Sequence, residues 1–262
     1  TYNRGGISTV SWHFINPVSP GGFYWVDTLS KPAVKYIIPG GSFNEGYKKI
    51  LGNIADVAKS AIGKDGNVVP MIFRPFHEFD GDWFWWGKSH CSIDEFKTLW
   101  QFTVSYLRDS LQVHNFIYAF SPDCKFNSTE EFTERYPGND WVDMVGFDNY
   151  ADFGRDGKYD LDAGLKKLLI VNNFAIENKK LAALTETGLE SVADSNWYTQ
   201  TLLKTLKQHH LKMAYVLVWR NDSKSATHYY APFPGHKSEA DFIKFYKDDY
   251  IWFEKDLPNL YK

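Results

Sequence analysis

The chain has 262 residues, a formal net charge of −3 and basic residues scattered along its length, which leaves nucleic acid or an anionic membrane surface nothing to grip. No apolar run approaches the roughly 18 residues of a membrane span, and the length suits one large domain built on a single core. Aromatic residues make up 18% of the chain, with ten Trp, sixteen Tyr and twenty Phe, and Trp and Tyr beyond the needs of packing suit a carbohydrate cleft.

Taken in order, the chain alternates strands and helices. Residues 1–6 carry no signal-peptide pattern, so any export signal is expected to have been removed or to lie outside this chain. Residues 7–12 read as a strand ending at His13 and closed by Asn16-Pro17, followed by a loop rich in glycine and aromatics that includes Trp25. Apolar residues at Phe43, Tyr47, Ile50, Leu51, Ile54, Val57, Ala58 and Ala61 have helical spacing, and Gly63 ends that helix. Residues 68–73 form a short β-branched strand that runs into Arg74-Pro75-Phe76-His77-Glu78. Ser92-Ile93-Asp94-Glu95 is a capping box opening the next helix. The strand 116–120 stops at Ser121-Pro122, and Ser128 to Glu131 caps a short helix. The strand 142–147 delivers Asp148 and Tyr150, and a helix from about Leu161 leads to the strand 181–188 with Glu186 near its end. A helix over 196–209, a strand over 213–218 delivering Trp219-Arg220-Asn221, and a helix over 238–246 complete the pattern.

Continuous rather than alternating hydrophobic strands imply a parallel sheet covered on both faces, and βα alternation implies an α/β domain. Six strands each end in polar or aromatic residues, and no Gly-rich phosphate turn marks a switch crevice, so the pattern favours a (β/α)₈ TIM barrel whose strand ends converge on one face.

The chemistry concentrates in residues 74–87, which place Arg74, His77 and Glu78 where a buried strand becomes a loop, with Trp83, Phe84, Trp85 and Trp86 just beyond. A carboxyl group in aromatic surroundings has its pKa raised and stays protonated near neutral pH. That is the equipment for gripping a sugar ring and protonating a glycosidic oxygen. Glu186, beside the small Thr185, Thr187 and Gly188, has room around it for attack at an anomeric carbon, so the two glutamates suit the paired carboxyls of a retaining glycosidase. Arg74 either holds the nucleophile ionised or forms a buried structural ion pair, roles that do not conflict. Trp85 and Trp86 are assigned to packing. The histidines lack zinc spacing and no metal or other cofactor is implied. Asp152-Phe153-Gly154 matches a kinase tripeptide by chance, and Asn127-Ser128-Thr129 is a glycosylation sequon that matters only in a eukaryotic secretory setting.

The central motif, followed by Thr185-Glu186-Thr187-Gly188 and Trp219-Arg220-Asn221, resembles the family 26 glycoside hydrolases from Gly5 to the C-terminal helix. The resemblance implies a (β/α)₈ barrel and a retaining β-mannanase, a mannan endo-1,4-β-mannosidase acting on mannan, glucomannan or galactomannan. Related members with the same catalytic pair act on mixed-linkage β-glucan or β-1,3-xylan, and a noncatalytic sugar-binding barrel is the reading from another class. Glu78 matches the acid/base and Glu186 the nucleophile. His77 and Tyr150 match positions that orient the nucleophile and the sugar, and His13, Trp83, Asp148, Trp219 and Arg220 match substrate contacts. Trp25 and Phe84 are candidates for aromatic walls.

Three further expectations follow. Residues 1–262 read as one catalytic domain with six βα units, so two N-terminal units, about 60 to 90 residues at 30 or more each, are expected upstream or on a separate chain. A secreted, periplasmic or cell-surface location is expected of such an enzyme. Cys91 and Cys124 follow the ends of successive strands, and the sequence predicts a disulfide between them.

Overall fold

In the computed structural model, which describes residues 1–258 and 260–261, six parallel strands form one sheet in sequence order. They are β1 (Ser8–Trp12), β2 (Met71–Pro75), β3 (Phe116–Phe120), β4 (Met144–Asp148), β5 (Leu181–Thr187) and β6 (Tyr215–Val218). The helices are α1 (Val34–Ile37), α2 (Asn44–Ser60), α3 (Ile93–Ser105), α4 (Thr129–Thr133), α5 (Leu161–Glu177), α6 (Lys204–Leu206) and α7 (Glu239–Tyr246). Each strand pairs with its sequence neighbour, and the sheet curls so that Arg74 on β2 reaches Asp148 on β4 and Glu186 on β5 across the interior. This is a (β/α)₈ barrel fold with six of its strands among the described residues.

Local chemistry fixes the element ends. Ser92 Oγ accepts from the Glu95 amide at 3.1 Å while Glu95 Oε2 accepts from the Ser92 amide at 2.8 Å, satisfying two of the first orphan donors of α3. Ser128 Oγ caps α4 by accepting from the Glu131 amide, and the Asp160 carboxylate caps α5 by accepting from that of Ala163. Helix α2 buries Tyr47, Leu51, Ala55 and Ala58, whereas Val57, assigned to the same face by spacing, is 69% exposed. Residues 196–209 are less regular than their spacing predicts. A wide π-helical run, Trp197–Leu203, precedes α6 and a 3₁₀ turn follows it. Trp197 and Tyr198 bury both rings at its start, and the Asp241 carboxylate on α7 accepts from the amide and hydroxyl of Thr199, holding that turn to α7.

The core is aromatic. Trp85 and Trp86 are wholly buried, and their indole N–H groups donate to the carbonyls of Phe14 and His77, the pairing a buried indole requires. These two are packing, as assigned. The predicted disulfide is absent, and Cys91 and Cys124 are both free thiols. Cys91 Sγ lies at the start of α3 against the carbonyls of Trp86 and Gly87 and the Arg135 guanidinium, while Cys124 packs beside the core next to Asp123. Adjacent strands bring the two loops together without bringing the two sulfurs together.

Candidate active site

Arg74 is the hub on which the strand ends converge. It stands opposite Ser11 in the β1–β2 register, and its side chain is 1% exposed. Nε donates to Ser11 Oγ at 3.1 Å, and Nη1 donates to Ser121 Oγ at 2.8 Å and to both Asp148 carboxylate oxygens at 3.1 and 3.0 Å. Nη2 donates to Glu186 Oε1. The planar fork suits this task, because one guanidinium serves acceptors from four strand ends in fixed directions. Asp148 Oδ1 also accepts from Thr185 Oγ1 at 2.6 Å, and Glu186 Oε2 accepts from the Tyr150 hydroxyl at 2.9 Å.

Two irregularities aim these groups. The β4–β5 register shifts between Phe147 and Asp148, so that Asp148 stands opposite Glu186, and the β5–β6 register shifts between Leu184 and Thr187. Bulges of this kind turn side chains out of the strict strand alternation. Just past Glu186, Gly188 has φ 136°, and a Cβ there would lie 2.6 Å from the Tyr230 ring, so only glycine lets that ring close over the strand end.

Glu78 is held differently. Phe76 and Glu78 both have left-handed backbone, with φ of 50° and 53°, a costly conformation for residues with a Cβ. The surroundings fix it, since the Glu78 amide donates to the Ser121 carbonyl at 2.9 Å and the Gly81 amide to the Glu78 carbonyl at 3.1 Å. Glu78 Oε2 accepts from Trp83 Nε1 at 2.8 Å, and the Trp83 ring lies so close over Gly81 that a Cβ there would meet it at 2.3 Å.

One carboxylate oxygen from each of Glu78, Asp148 and Glu186 lies within 4.8 Å of the other two. A small cation could share such a trio, but the Arg74 guanidinium already supplies the counter-charge to two of its members. Burial, then the neighbouring carboxylates Asp148 and Glu186, pushes Glu78 up to about 9. Burial and Asp148 push Glu186 up to about 8, opposed by Arg74 and Tyr150. Arg74 and Thr185 stabilise ionised Asp148 against its burial, although its pKa too is raised. Glu78 has only the Trp83 donor against its like-charged neighbours, so it is the last of the pair to ionise.

The imidazoles form the floor. His77 is 2% exposed, its Nδ1 has no hydrogen-bond partner among the described residues, and its ring packs edge-on against His13 at 4.7 Å and Phe84 at 5.2 Å. Burial, Arg74 and His13 hold His77 well below the ordinary histidine range, and burial, Arg74 and Arg220 lower His13. Two neutral imidazoles can exchange hydrogen bonds with hydroxyl groups without adding charge.

The other predicted residues divide. Trp219 hydrogen-bonds through its amide to the Thr187 carbonyl at 3.0 Å, beside the Glu186 strand end, and exposed Arg220 follows it in an ion pair with Asp222 at 3.4 Å. Trp25 is joined to the acid-bearing loop by its amide, which donates to the Trp83 carbonyl at 2.7 Å, and its ring stacks on His90 at 3.7 Å. Phe84 is 3% exposed and packs beneath the histidines, so it supports the cleft from below and does not wall it. Sequence reasoning missed Tyr230, whose ring meets that of Tyr150 at 5.9 Å, and Arg155, whose guanidinium lies 4.8 Å over Tyr150. Tyr230 sits in a long loop after β6 with no local signal; Arg155, just after the Gly154 turn and five residues past Tyr150, could have been found by its place in the loop after β4.

The fold and this site define a parallel (β/α) barrel with paired carboxyl groups at the C-terminal rim, the face on which the active sites of such barrels lie. The profile described as glycosyl hydrolase family 26 matches residues 1–233, and the chain belongs to that family. It is 34% identical over 258 residues to a mannan endo-1,4-beta-mannosidase of Bifidobacterium adolescentis, covering 93% of this chain but 25% of that protein. A Bacillus subtilis enzyme of the same name is 29% identical over 231 residues, 86% of this chain and 58% of its own. The chain thus spans from a quarter to somewhat over half of these relatives' lengths. Among solved structures, the GH26C protein of Muricauda sp. superposes with a TM-score of 0.94 at 40% identity, over 100% of this chain and 71% of that one. A GH26 beta-mannanase from Bacteroides ovatus gives 0.92 at 39% identity, over 100% and 74%.

Proposed function

We propose that the chain is the catalytic portion of a retaining β-mannanase that hydrolyses β-1,4 bonds in mannan, glucomannan or galactomannan. One observation carries the mechanism: Glu186 and Glu78 stand within 4.8 Å, one receiving hydrogen bonds from Arg74 and Tyr150, the other from the Trp83 indole. The short separation leaves no room for a water between carboxylate and sugar, which favours double displacement over inversion. Glu186 attacks the anomeric carbon and forms a glycosyl-enzyme as Glu78 gives its proton to the departing oxygen. Glu78 then takes a proton from water, which attacks the same carbon and releases Glu186. Tyr150 and Arg74 orient Glu186 and favour its ionised form against the pull of burial, Asp148 balances Arg74, and neutral His13 and His77 face the sugar hydroxyls.

The choice of mannan is supported by family membership and by the names of the relatives. A polymer of this kind is met outside the cytoplasm, so the enzyme works as a secreted, periplasmic or cell-surface protein. The test is hydrolysis of mannan, lichenan and xylan in parallel, with the anomer released from manno-oligosaccharides followed by NMR. Reducing ends from mannan, released first as the β-anomer, are expected. Faster hydrolysis of lichenan or xylan rejects the substrate, and first release of the α-anomer rejects the mechanism.

A further inference from the structure

The loop after β4 carries a buried side-chain network that no step above uses. We infer that Lys167, acting through Asp152 and Asn149, is a positioning residue that sets the Tyr150 hydroxyl against Glu186, an inference that rests on the proposed function.

Geometry is the first argument. Asn149 stands between Asp148, which accepts from Arg74, and Tyr150, which donates to Glu186. Its amide donates to the Glu186 carbonyl at 2.9 Å, and its carbonyl accepts from Thr187 Oγ1 at 2.7 Å. The end of β4 is thereby fastened to the strand that carries the nucleophile. The Asn149 side chain turns the chain that follows, because Nδ2 donates to Asp152 Oδ2 at 2.8 Å and Oδ1 accepts from the Asp152 amide at 3.1 Å. Lys167 Nζ, from α5, donates to the same Asp152 oxygen at 2.6 Å. The Tyr150 carbonyl accepts from the amides of Phe153 at 3.3 Å and Arg155 at 3.1 Å, so Tyr150 is enclosed in the turn that Lys167 anchors to the helix.

The choice of residues is the second argument. Lys167 and Asp152 are both buried, and among the described residues Asp152 is the sole hydrogen-bond partner of the ammonium. An ion pair sunk this far gives up the hydration of both charges, and two apolar side chains of similar volume would hold α5 to the loop about as well. What apolar packing cannot supply is direction. The ammonium fixes one carboxylate oxygen, that oxygen fixes the Asn149 amide, and the turn so fixed leaves the Tyr150 hydroxyl 2.9 Å from Glu186 Oε2. Reacting groups held by such chains lose rate steeply when displaced by small distances.

The experiment compares wild type with Lys167→Met across pH on manno-oligosaccharides. The titratable and charged groups around Glu186 are Arg74, Glu78, Asp148, Tyr150, Tyr215 and Tyr230, and of these only Tyr150 lies inside the turn. Its hydrogen bond favours ionised Glu186, so loosening it should move the acid limb of kcat/KM up by about one pH unit, the scale of one bond to a charged group. The basic limb should stay, and kcat should fall about tenfold with KM little changed. In a Tyr150→Phe background, Lys167→Met should move the acid limb no further. An acid limb that stays in Lys167→Met, even with a lower denaturation midpoint, marks a merely structural pair and overturns the inference, as does a further shift in the Tyr150→Phe background. If Lys167→Met does not fold, Asn149→Ala, which keeps the buried ion pair, should give the same shift, and an unmoved limb there overturns the inference. If wild type cleaves no β-linked saccharide, the enzymatic reading fails separately. The crystal structure of Lys167→Met then decides, with the Tyr150 hydroxyl beyond hydrogen-bond reach of Glu186 supporting the role and the wild-type contact overturning it.

Discussion

Of three neighbouring carboxyl groups, two share one guanidinium and the third does not, and this distribution of hydrogen bonds sets their order of ionisation. Arg74 and Tyr150 donate to Glu186, while Glu78 receives only Trp83 Nε1. The roles therefore predict different failures. Glu186→Ala is expected to lose activity by about 10⁴-fold or more on every substrate, the scale on which catalytic groups acting as a unit fail, and azide should restore turnover with the inverted product. Glu78→Ala should still form the glycosyl-enzyme from substrates with good leaving groups, and azide should release it with retained configuration. Inverted azide product from the Glu78 variant would mean the roles are exchanged. The proton order also predicts a bell-shaped pH profile with both limbs above the ordinary carboxylate range, because burial raises Glu186 to about 8 and Glu78 to about 9. The Trp83 N–H stabilises ionised Glu78, so Trp83→Phe removes an influence that lowers its pKa. The basic limb should move to higher pH in that variant, whatever happens to KM. A limb that stays or moves down would show that the Trp83 bond does not tune the acid.

At the scale of elements, Arg74 is a tie between β2 and the ends of β1, β3, β4 and β5. Removing a charge from a buried network leaves its partners uncompensated, so Arg74→Met should cost about 3–5 kcal/mol, read as a loss of denaturation midpoint in urea. The deficit should shrink in acid, where protonated Asp148 and Glu186 no longer need a counter-charge. A deficit independent of pH would instead mark lost packing. The strands themselves were legible because each is a short apolar run between turn signals, and the 116–120 strand matches residue for residue. The Ser92 capping box and the Ser128 cap were legible because their chemistry is local. What the sequence concealed depends on distance: Trp83 pointing at Glu78 needs the Gly81 turn, and Tyr230 closing on Gly188 joins two loops. The Cys91–Cys124 expectation failed for a related reason, since strand adjacency constrains loop position and not side-chain direction. The run at 196–209 failed because apolar spacing cannot register a π turn held from α7.

At the scale of the whole molecule, the sheet has a closed middle and open margins. Every residue of β4 is buried, whereas β1 and β6 are only half-buried, and Val10 in the middle of β1 is 42% exposed. Each of these outer strands pairs with one neighbour, and among the described residues nothing pairs with its other edge. An unpaired strand edge offers a row of backbone donors and acceptors to any second chain, and natural edges are blunted by lysine, proline or bulges. Neither edge strand here contains proline or lysine. Residues 1–262 expressed on their own are therefore expected to associate at concentrations on the order of tens of micromolar, through β1, where an apolar side chain accompanies the free edge. Sedimentation velocity across a concentration series reads this as a rising weight-average mass. Val10→Lys places a charge on that edge and should hold the chain monomeric through the same range, with kcat/KM unchanged because the Val10 side chain takes no part in the hydrogen bonds around Glu78 and Glu186. A wild-type chain that stays monomeric at every concentration would show that the margins are protected by their twist and the surrounding loops. Association unaffected by Val10→Lys would move the contact to β6.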